Sequence, residues 1–240
     1  MTGPAAHAAD GQDEEFTPAA DFTPVVDSRP EDVVWPAMSW PPPPGTVLVG
    51  RVVEVTPLDL ERDVEALFEA LGDDRVWTHL PWRPPDPASY AAFLRKRMAT
   101  GTVPWIVRLR VPVAGLAPGA VVGTSSFLEV AVGDARLEIG STAYRPDVWA
   151  SAVNPDTKLL LLGYAFDDLG AGRVQLKTDV RNTRSQRAIA RLGARYEGTL
   201  LRYQRRADGT VRDTVLFSVP AEDWPRVRRG LLNRLEGLAG

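Results

Sequence analysis

Hydrophobic positions recur with two different periods along the chain, every second residue in some segments and every third or fourth residue in others. The first period is typical of β-strands and the second of amphipathic helices, so the chain is predicted to form a mixed α/β fold. The first half is predicted to contain a strand interrupted by Gly50, a helix begun by Asp59, a proline-rich loop, a second helix and an antiparallel pair of strands. These elements occupy residues 47–55, 59–71, 77–87, 87–101, 105–111 and 120–127.

The second half predicts strand, helix, strand, helix and a further strand at short spacing, and the first four of these elements occupy residues 136–144, 154–169, 172–180 and 182–192. Asn154 is expected to cap the first of these helices, with Pro155 at its first helical position. Asn182 is expected to cap the second helix, which would turn Ser185 toward the core. Gly140 interrupts the first strand, which indicates a β-bulge or the close approach of a ligand. This order of elements suits a fold that binds a phosphorylated cofactor at a helix start.

The first 44 residues differ from the rest of the chain in composition. They hold nine prolines, eight acidic residues and a single arginine, and they show no sustained helix or strand period. Such a segment buries too little apolar surface to offset the entropy lost on ordering, so residues 1–44 are predicted to be a largely disordered extension. Trp35, Met38 and Trp40 interrupt this pattern and could pack on the domain that comes after them. Residues 45–240 are predicted to form one domain.

The formal net charge of the whole chain is -3, but the extension and the domain differ in sign. Without the extension, 27 basic residues face 23 acidic ones, so the domain is mildly basic. That balance suits an anionic small ligand such as a nucleotide-bearing cofactor. It is well below the charge typical of proteins that bind nucleic acid through many phosphate contacts, so no nucleic acid partner is expected.

Cysteine is absent and histidine is rare, which removes several kinds of catalytic site. Without cysteine there is no thiol nucleophile, disulfide framework or thiolate metal site. The only histidines are His7 and His79, so a histidine-rich zinc site is excluded and no metal is expected. A Ser-His-Asp triad would depend on His79, and the chain has no nucleophile-elbow motif. Because no apolar signal core or membrane-length apolar run occurs, the protein is expected in the cytoplasm without a membrane partner.

Three segments of the second half form a set of motifs. The most specific is NTRSQRAIARLGA at residues 182–194; the others are the apolar helix around residues 158–166 and the turn Asp208-Gly209 in the final hairpin. In these segments the chain resembles the GNAT acyltransferases, and within them the ribosomal-protein N-terminal acetyltransferases of the RimJ and RimL kind, over residues 47–235. The resemblance implies the GNAT fold, with a central, mostly antiparallel sheet of about seven strands and helices on both faces.

The resemblance also implies direct transfer of the acetyl group of acetyl-CoA to a primary amine, without a covalent enzyme intermediate. The pantetheine arm would lie like an added strand between residues 137–144 and 173–180. The backbone N–H groups that would polarise the thioester carbonyl belong to Ile139, Gly140 and Ser141. The loop expected at the pyrophosphate consists of Trp149, Ala150, Ser151, Ala152, Val153 and Asn154. Asn182 and Arg187 complete the expected cofactor contacts.

The expected pyrophosphate loop departs from the usual family pattern. The family usually has two spaced glycines in this loop, whereas this loop has no glycine. Asp156 also adds a negative charge to the first turn of the next helix. Ala150 and Ala152 are small, but alanine ordinarily requires a negative φ angle.

Acyl transfer to an amine needs a base for the amine and a proton for the departing thiolate. Glu138, beside the expected thioester, is the candidate base, acting through water; the alternative is an ordinary solvent-facing strand position. Ser185 is the candidate proton donor, although a helical serine often bonds within its own helix. Tyr196 and Tyr203 are competing donors. Arg184 and Arg187 are interpreted as a solvated helix face that could also meet cofactor phosphates.

The wall that faces the acceptor amine is expected to come from the early helices and the loop that joins them. Its candidate residues are Trp77, His79, Trp82 and Tyr90.

The leading hypothesis is an acetyl-CoA-dependent N-acetyltransferase that acts on a protein N-terminal α-amine, as ribosomal-protein acetyltransferases do. One alternative is acetylation of a small-molecule amine, in resistance or biosynthesis. The other is a module that binds acyl-CoA or a protein partner without turnover, which the altered loop and the acidic extension would favour. A homodimer is compatible with each of these hypotheses.

Overall fold

The structure, a computed structural model, describes residues 23–27, 34, 37–80 and 82–238. The chain divides into two units, Met1–Val34 and Trp35–Gly240. The described residues of the first unit are exposed and form no helix or strand. Most of the predicted extension, including Trp35, lies outside the described residues. The helices and strands of the described chain all belong to the second unit.

A single eight-stranded sheet forms the centre of this unit. The strands are β1 Leu48–Val49, β2 Val53–Pro57, β3 Val103–Leu109, β4 Val121–Ala131, β5 Arg136–Tyr144, β6 Arg173–Asp179, β7 Arg195–Arg205 and β8 Val211–Pro220. Their order across the sheet is β1-β2-β3-β4-β5-β6-β8-β7. All neighbouring strands are antiparallel except β5 and β6, which are parallel. The mostly antiparallel mixed sheet is thereby confirmed.

The prediction of one strand over residues 47–55 is wrong, because the chain reverses direction there. β1 and β2 are separate antiparallel strands joined by a turn at Gly50. The carboxylate of Asp156, at the start of a helix far along the chain, accepts hydrogen bonds from the backbone N–H groups of Val52 at 2.6 Å and Val53 at 3.0 Å. A Cβ atom at Gly50 would collide with that carboxylate, so glycine is required at the turn. The extra strand raises the count above the expected seven.

Helices cover both faces of the sheet. They are α1 Leu60–Ala70, α2 Asp74–Trp77, α3 Pro87–Ala99, α4 Val153–Gly163, α5 Thr183–Ala190 and α6 Trp224–Gly237. The predicted cap of α1 is confirmed, since the Asp59 side chain accepts from the N–H groups of Glu61 and Arg62. No described helix is both long and apolar enough to cross a membrane.

Helix α4 begins earlier than its sequence predicts. Its N-cap is Ala152, so Asn154 and Pro155 lie inside the first turn and the predicted Asn154 cap is wrong. Ser151 explains the shift: its hydroxyl donates to the Val148 carbonyl at 2.6 Å and accepts from the Val153 N–H at 3.2 Å, which closes a turn ahead of Asn154. No described side chain caps the helix at Ala152 itself. After Gly163 the helix continues as a π-helical turn, Tyr164–Asp168.

Two hydrophobic clusters hold these layers together. The larger contains buried side chains of α4, α5 and α6 with the sheet, including Leu161, Leu162 and Leu231. The smaller joins α1 and α3 to the other face through Leu67, Leu94 and neighbouring residues. Helix α4 is therefore central and buried, as its apolar sequence predicts.

Part of the predicted extension packs on this body. Met38 is 6% exposed, and the Trp40 ring lies 6.2 Å from the ring of Phe127, centroid to centroid. The Ser39 N–H donates to the Leu169 carbonyl at 2.8 Å. The chain from Ala37 onward thus contributes to the larger hydrophobic cluster.

Candidate active site

A slot opens in the sheet where β5 and β6 separate. The two parallel strands pair only at their first residues, ending with Glu138 opposite Gln175. Beyond that point, β5 bulges: Ser141 and Thr142 lie opposite the single residue Ser125 of β4, and Ser141 has a φ of 48°. The bulge turns β5 away from β6, which leaves backbone groups of both strands without a partner among the described strands along the slot. The sequence placed this irregularity at Gly140, one residue earlier.

Gly140 allows a carboxylate to lie along the strand beside the slot. A Cβ atom at this position would meet Glu138 Oε1 and Leu128 Cδ1 at less than van der Waals distance. Glycine is therefore needed so that Glu138 can extend over its own strand toward the bulge.

Glu138 is a buried carboxylate at the point where the strands separate. It is 5% exposed, and its Oε2 lies 2.9 Å from Lys177 Nζ and 3.5 Å from Gln175 Nε2. Burial raises the pKa of Glu138, while the positive charge of Lys177 opposes that rise. A carboxylate with a raised pKa is a stronger base than an exposed one.

Lys177 links Glu138 to further side chains. Its Nζ bonds to Glu129 Oε1 at 2.5 Å and to the Tyr203 hydroxyl at 3.0 Å, and it lies 4.9 Å from the Tyr203 ring centroid. Burial lowers the pKa of Lys177, but the bonds to Glu129, Glu138 and Tyr203 outweigh it, so the net pKa is raised. Lys177 therefore stays protonated and holds Glu138 in place. Tyr196, the other tyrosine candidate, is 62% exposed and bonds only to Thr199 among the described residues.

A second buried cation, Lys158, lies on the opposite face of the sheet. It projects from α4, is 5% exposed, and places Nζ 2.9 Å from Thr142 Oγ1 and 3.3 Å from Ser125 Oγ. These hydroxyls belong to the two strands of the bulge, so Lys158 ties α4 to the wall of the slot. Burial lowers the pKa of Lys158 to about 7, against the opposing negative charge of Glu138.

The sequence-based predictions assign no role to Lys158, although its place in the helix indicates a buried charge. It precedes four consecutive leucines in a helix predicted to be buried on most sides. A lysine in such a helix must find polar partners in the interior or lose its charge.

A recess that is partly open to solvent adjoins the bulge on the Glu138 face of the sheet. Its walls come from the α2 to α3 region and its floor from β4 and β5. Three of the four residues predicted at the acceptor wall line it, namely Trp77, Trp82 and Tyr90. The other lining residues are Leu80, Phe93, Leu94, Arg97, Thr102, Pro104, Thr124, Ser126, Ser141 and Ala143.

His79, the fourth predicted acceptor residue, is not part of this lining. It is half-buried, and burial lowers its pKa, with Asp179 opposing and Arg184 adding to the effect. The part of His79 in acceptor binding therefore stays a prediction.

The loop between β5 and α4 contains no glycine, and one of its alanines adopts a strained backbone conformation. Ala150 has a φ of 62°, a left-handed conformation that glycine usually provides. Asp156, whose charge was expected to oppose an anion here, instead points at the β1–β2 turn. In the first turn of α4, the Val153 N–H donates to Ser151 Oγ, the Asp156 N–H donates to the Ala152 carbonyl, and Pro155 has no N–H. The Asn154 N–H is therefore the group of this turn that can meet an anion.

Two arginines flank the indole of Trp149 in the same loop. Arg184 of α5 lies 3.7 Å from the ring centroid and Arg75 of α2 lies 5.7 Å from it. The Trp149 N–H donates to the Tyr144 carbonyl at 2.9 Å, which fixes the ring. Burial lowers the pKa of Arg184. The loop is therefore bound to α2 and α5 at a place with two positive charges.

Helix α5 lies beside the slot as its sequence predicts. Asn182 Oδ1 accepts from the Ser185 N–H at 3.0 Å, which confirms the cap. Ser185 is half-buried on the side of the buried Ile189, whereas Arg187 is exposed. The structure therefore brings Glu138, Ile139, Gly140 and Ser141 together along β5, the loop residues 149–154 together beyond them, and Asn182 with Ser185 on α5. Among the described residues, no group of three His, Asp or Glu side chains is placed to hold a metal ion.

The site can be compared with known proteins. A family model described as an acetyltransferase (GNAT) domain matches residues 53–195. A solved structure from T. thermophilus, classed as an acetyltransferase, is 36% identical with a TM-score of 0.70, over 82% of this chain and 100% of that chain. A GNAT-family structure from Chromobacterium violaceum ATCC 12472 is 28% identical with a TM-score of 0.75, over 85% and 99% of the two chains.

RimJ of Mycobacterium smegmatis, solved in complex with CoA-disulfide, is 22% identical with a TM-score of 0.63, over 79% of this chain and 94% of that chain. At that identity the likeness concerns the fold. None of the curated proteins matches the chain. Since the family model spans more than half of the 240 residues and includes the slot, the chain belongs to the GNAT acetyltransferases and is an N-acetyltransferase.

Proposed function

We propose that this N-acetyltransferase transfers the acetyl group of acetyl-CoA directly to a primary amine, and that its acceptor is a protein N-terminal α-amine of the kind ribosomal-protein acetyltransferases use. The observation that carries the proposal is the buried Glu138 carboxylate at the opening of the slot, beside a recess that can hold the acceptor. Acetyl-CoA supplies the acetyl group as an activated thioester.

Glu138 is the proposed general base. An attacking amine must lose a proton, and a carboxylate with a raised pKa accepts that proton more readily than an ordinary carboxylate, directly or through water. Lys177 fixes the carboxylate by an ion pair and keeps part of its ionised character. Ser185 is the proposed proton donor to the leaving group, and Tyr203 is its competitor because its hydroxyl belongs to the Lys177 network.

The residues of the slot fit the cofactor expected there. The unpaired edge at Ile139, Gly140 and Ser141 can bond an extended chain and polarise a carbonyl. The proposed diphosphate site is the loop Trp149, Ala150, Ser151, Ala152, Val153 and Asn154, where the Asn154 N–H and the charges of Arg75 and Arg184 favour an anion. Asn182 and Arg187 are the proposed contacts on α5.

A small-molecule amine is the second candidate acceptor. The recess beside Ser141 is walled on several sides by side chains and could enclose a small amine. Free amines and protein N-termini share the reaction at Glu138 and differ only in the group attached to the amine nitrogen.

The test is incubation of the full-length protein with acetyl-CoA and two acceptor sets, peptides with free α-amines and small primary amines, with mass spectrometry of the products. Acetylated product is expected, and Glu138→Gln should lower kcat by about 100-fold or more. Glu61→Gln, on the exposed surface of α1, is the matched control and should leave kcat unchanged. Equal rates for Glu138→Gln and the unaltered protein would remove Glu138 from the reaction.

Binding of the cofactor is measured separately from turnover. Acetyl-CoA should raise the melting temperature of both the unaltered protein and Glu138→Gln, because the ligand binds and stabilises the folded state and not the unfolded state. No stabilisation of either protein would contradict the cofactor assignment.

A further inference from the structure

The recess beside the bulge has a wall of aromatic rings that are fixed in place. The Trp77 and Tyr90 rings meet edge to face at 6.0 Å, and the Trp82 and Phe93 rings lie 5.1 Å apart, centroid to centroid. The Trp77 N–H donates to the Leu71 carbonyl at 2.7 Å, so its polar group is already satisfied outside the recess. The wall therefore offers apolar ring surface to an occupant.

Charge in the recess is limited to one cation at its edge. Arg97 is the only charged residue of the described lining, and its guanidinium lies 5.7 Å from the Phe93 ring centroid. No aspartate or glutamate belongs to the lining in the part of the chain that the structure describes. A second ammonium group on the acceptor would meet a like charge and no carboxylate, which disfavours polyamines and cationic side chains.

The floor of the recess lies next to the proposed base. Ser126 is opposite Gly140 in the β4–β5 ladder, so the two residues face the same side of the sheet. The Glu138 carboxylate reaches over Gly140 on that side. Directly opposite side chains of an antiparallel pair lie roughly 5 Å apart, which is about the distance from an amine nitrogen to the centre of a ring one or two carbons away.

We propose that the acceptor is an amine whose nitrogen is joined, through one to three bonds, to a neutral apolar group of ring size that is bound between Trp77, Trp82, Tyr90 and Phe93. This inference rests on the proposed function and specifies its acceptor. A peptide with an N-terminal Phe or Leu and a free arylalkylamine share this chemistry. The first source matches the protein acceptor and the second the small-molecule acceptor.

The first experiment compares acetylation of peptides that differ only at the N-terminal residue, Phe, Leu, Ala, Ser or Lys, together with phenethylamine and spermidine. The value of kcat/KM should be at least about 10-fold higher for Phe than for Ala, and lowest for Lys and spermidine. Reaction with the peptides alone would identify a protein N-terminus, and reaction with phenethylamine alone would identify a small amine. Acetylation that ignores the side group, or that prefers Lys or spermidine, would overturn the inference and leave the N-acetyltransferase function standing.

The second experiment tests the wall with variants that keep the fold. Trp82 is 36% exposed at the edge of the recess, so Trp82→Ala should fold and should reduce the preference for Phe over Ala to near unity. Trp82→Phe should restore most of that preference. Leu201→Ala, at a 75% exposed position on β7, is the control and should not alter it. An unchanged preference in Trp82→Ala would contradict the assigned wall.

A binding measurement without acetyl-CoA separates failure of this inference from failure of the proposed function. Phenethylamine should change the tryptophan fluorescence of the full-length protein in a saturable way, and spermidine at equal concentration should not. Saturable binding without any acetylated product would support the recess and contradict the proposed turnover. Acetylated product with no saturable binding and no side-group preference would contradict binding in the recess and support the proposed turnover.

Discussion

At the scale of single residues, the pKa of Glu138 is set by two opposing effects. Burial raises it, and the ion pair with Lys177 at 2.9 Å opposes the rise. Gly140 permits this arrangement, because a side chain there would occupy the place of the carboxylate. The reactivity of the base therefore depends on a lysine and a glycine that never need to touch the acceptor.

Replacing Lys177 should shift the pH dependence of catalysis. The base must be ionised, so kcat/KM falls as the pH drops through the pKa of Glu138. Lys177 holds that pKa down, so Lys177→Met should move the acid limb of the profile to higher pH. The measurement is kcat/KM against pH, with Lys96→Met on the exposed surface of α3 as the control. An acid limb that stays in place would show that Glu138 is not the titrating base.

Lys158 should make the stability of the protein depend on pH. Its ordinary pKa is 10.5 and burial lowers the value to about 7, so the folded state binds fewer protons than the unfolded state between these values. The free energy of unfolding therefore rises with pH across that window and loses this contribution as the pH falls toward 7. The contribution amounts to a few kcal/mol, since each pKa unit corresponds to about 1.4 kcal/mol.

The test is urea denaturation of the unaltered protein and of Lys158→Met at about pH 6.5 and about pH 9.5. These two pH values span most of the interval between the folded-state and the unfolded-state pKa of Lys158. Methionine removes the buried charge, so the variant should gain stability relative to the unaltered protein at the lower pH. The bond of 2.8 Å between Ser125 and Thr142 persists at both pH values and cancels in the comparison. A difference independent of pH would mean that Lys158 does not titrate in this range.

At the scale of elements, the loop between β5 and α4 stores strain at one residue. Ala150 adopts a left-handed conformation that costs an L-residue about 1 kcal/mol, and glycine avoids that cost. Ala150→Gly should therefore raise the free energy of unfolding by up to about 1 kcal/mol. For a domain of this size, the melting temperature should rise by roughly 2–4 °C.

The same substitution at an ordinary helical position is the matched control. Ala66 lies exposed within α1, so Ala66→Gly should lower the free energy of unfolding by about 1 kcal/mol. Differential scanning calorimetry of both variants gives the comparison. Destabilisation by both would contradict the strain at Ala150.

Elements whose limits depend on local chemistry could be predicted from the sequence. Asn182 caps α5, Asp59 caps α1 and Gly209 turns the final hairpin, because each signal lies within a few residues of its effect. The family motif at residues 182–194 depends on such local signals. It therefore identified the fold even though several neighbouring elements were predicted less accurately.

The failures of prediction involve partners that are distant in sequence. The β1–β2 turn depends on Asp156, which is 104 residues from Val52, and no local pattern shows that contact. Lys158 depends on hydroxyls of β4 and β5. His79 occurs in the sequence among three residues that line the recess, and no local pattern shows that His79 is absent from that lining. Hydrophobic periodicity predicts which face of a helix or strand is buried, but it does not predict which distant residues pack against that face.

At the scale of the whole molecule, the packed body begins before the composition changes. Met38 and Trp40 pack in the larger hydrophobic cluster, although they precede the four prolines at residues 41–44. The sequence boundary at Gly45 would therefore divide a packed unit. The contact boundary after Val34 keeps these residues with the sheet.

Two truncations should separate these boundaries. Removal of residues 1–34 keeps Met38 and Trp40, whereas removal of residues 1–44 deletes the buried Met38 and the Trp40 contact with Phe127. Loss of a buried methionine side chain alone costs about 2–5 kcal/mol, so the second truncation should melt several degrees lower. The melting temperatures of both truncated proteins are measured by thermal unfolding at low and high salt and compared. Equal melting temperatures would show that residues 37–44 add nothing to the body.

The carboxylate of Asp156 has a consequence for how the molecule opens. It holds the amide hydrogens of Val52 and Val53 from within the first turn of α4, the same turn whose Asn154 N–H belongs to the proposed anion site. Exchange of those two amide hydrogens with solvent requires either the edge of the sheet or the start of this helix to open. Acetyl-CoA should therefore slow deuterium uptake at Val52 and Val53, a signal of occupancy at two residues that are not among the proposed cofactor contacts.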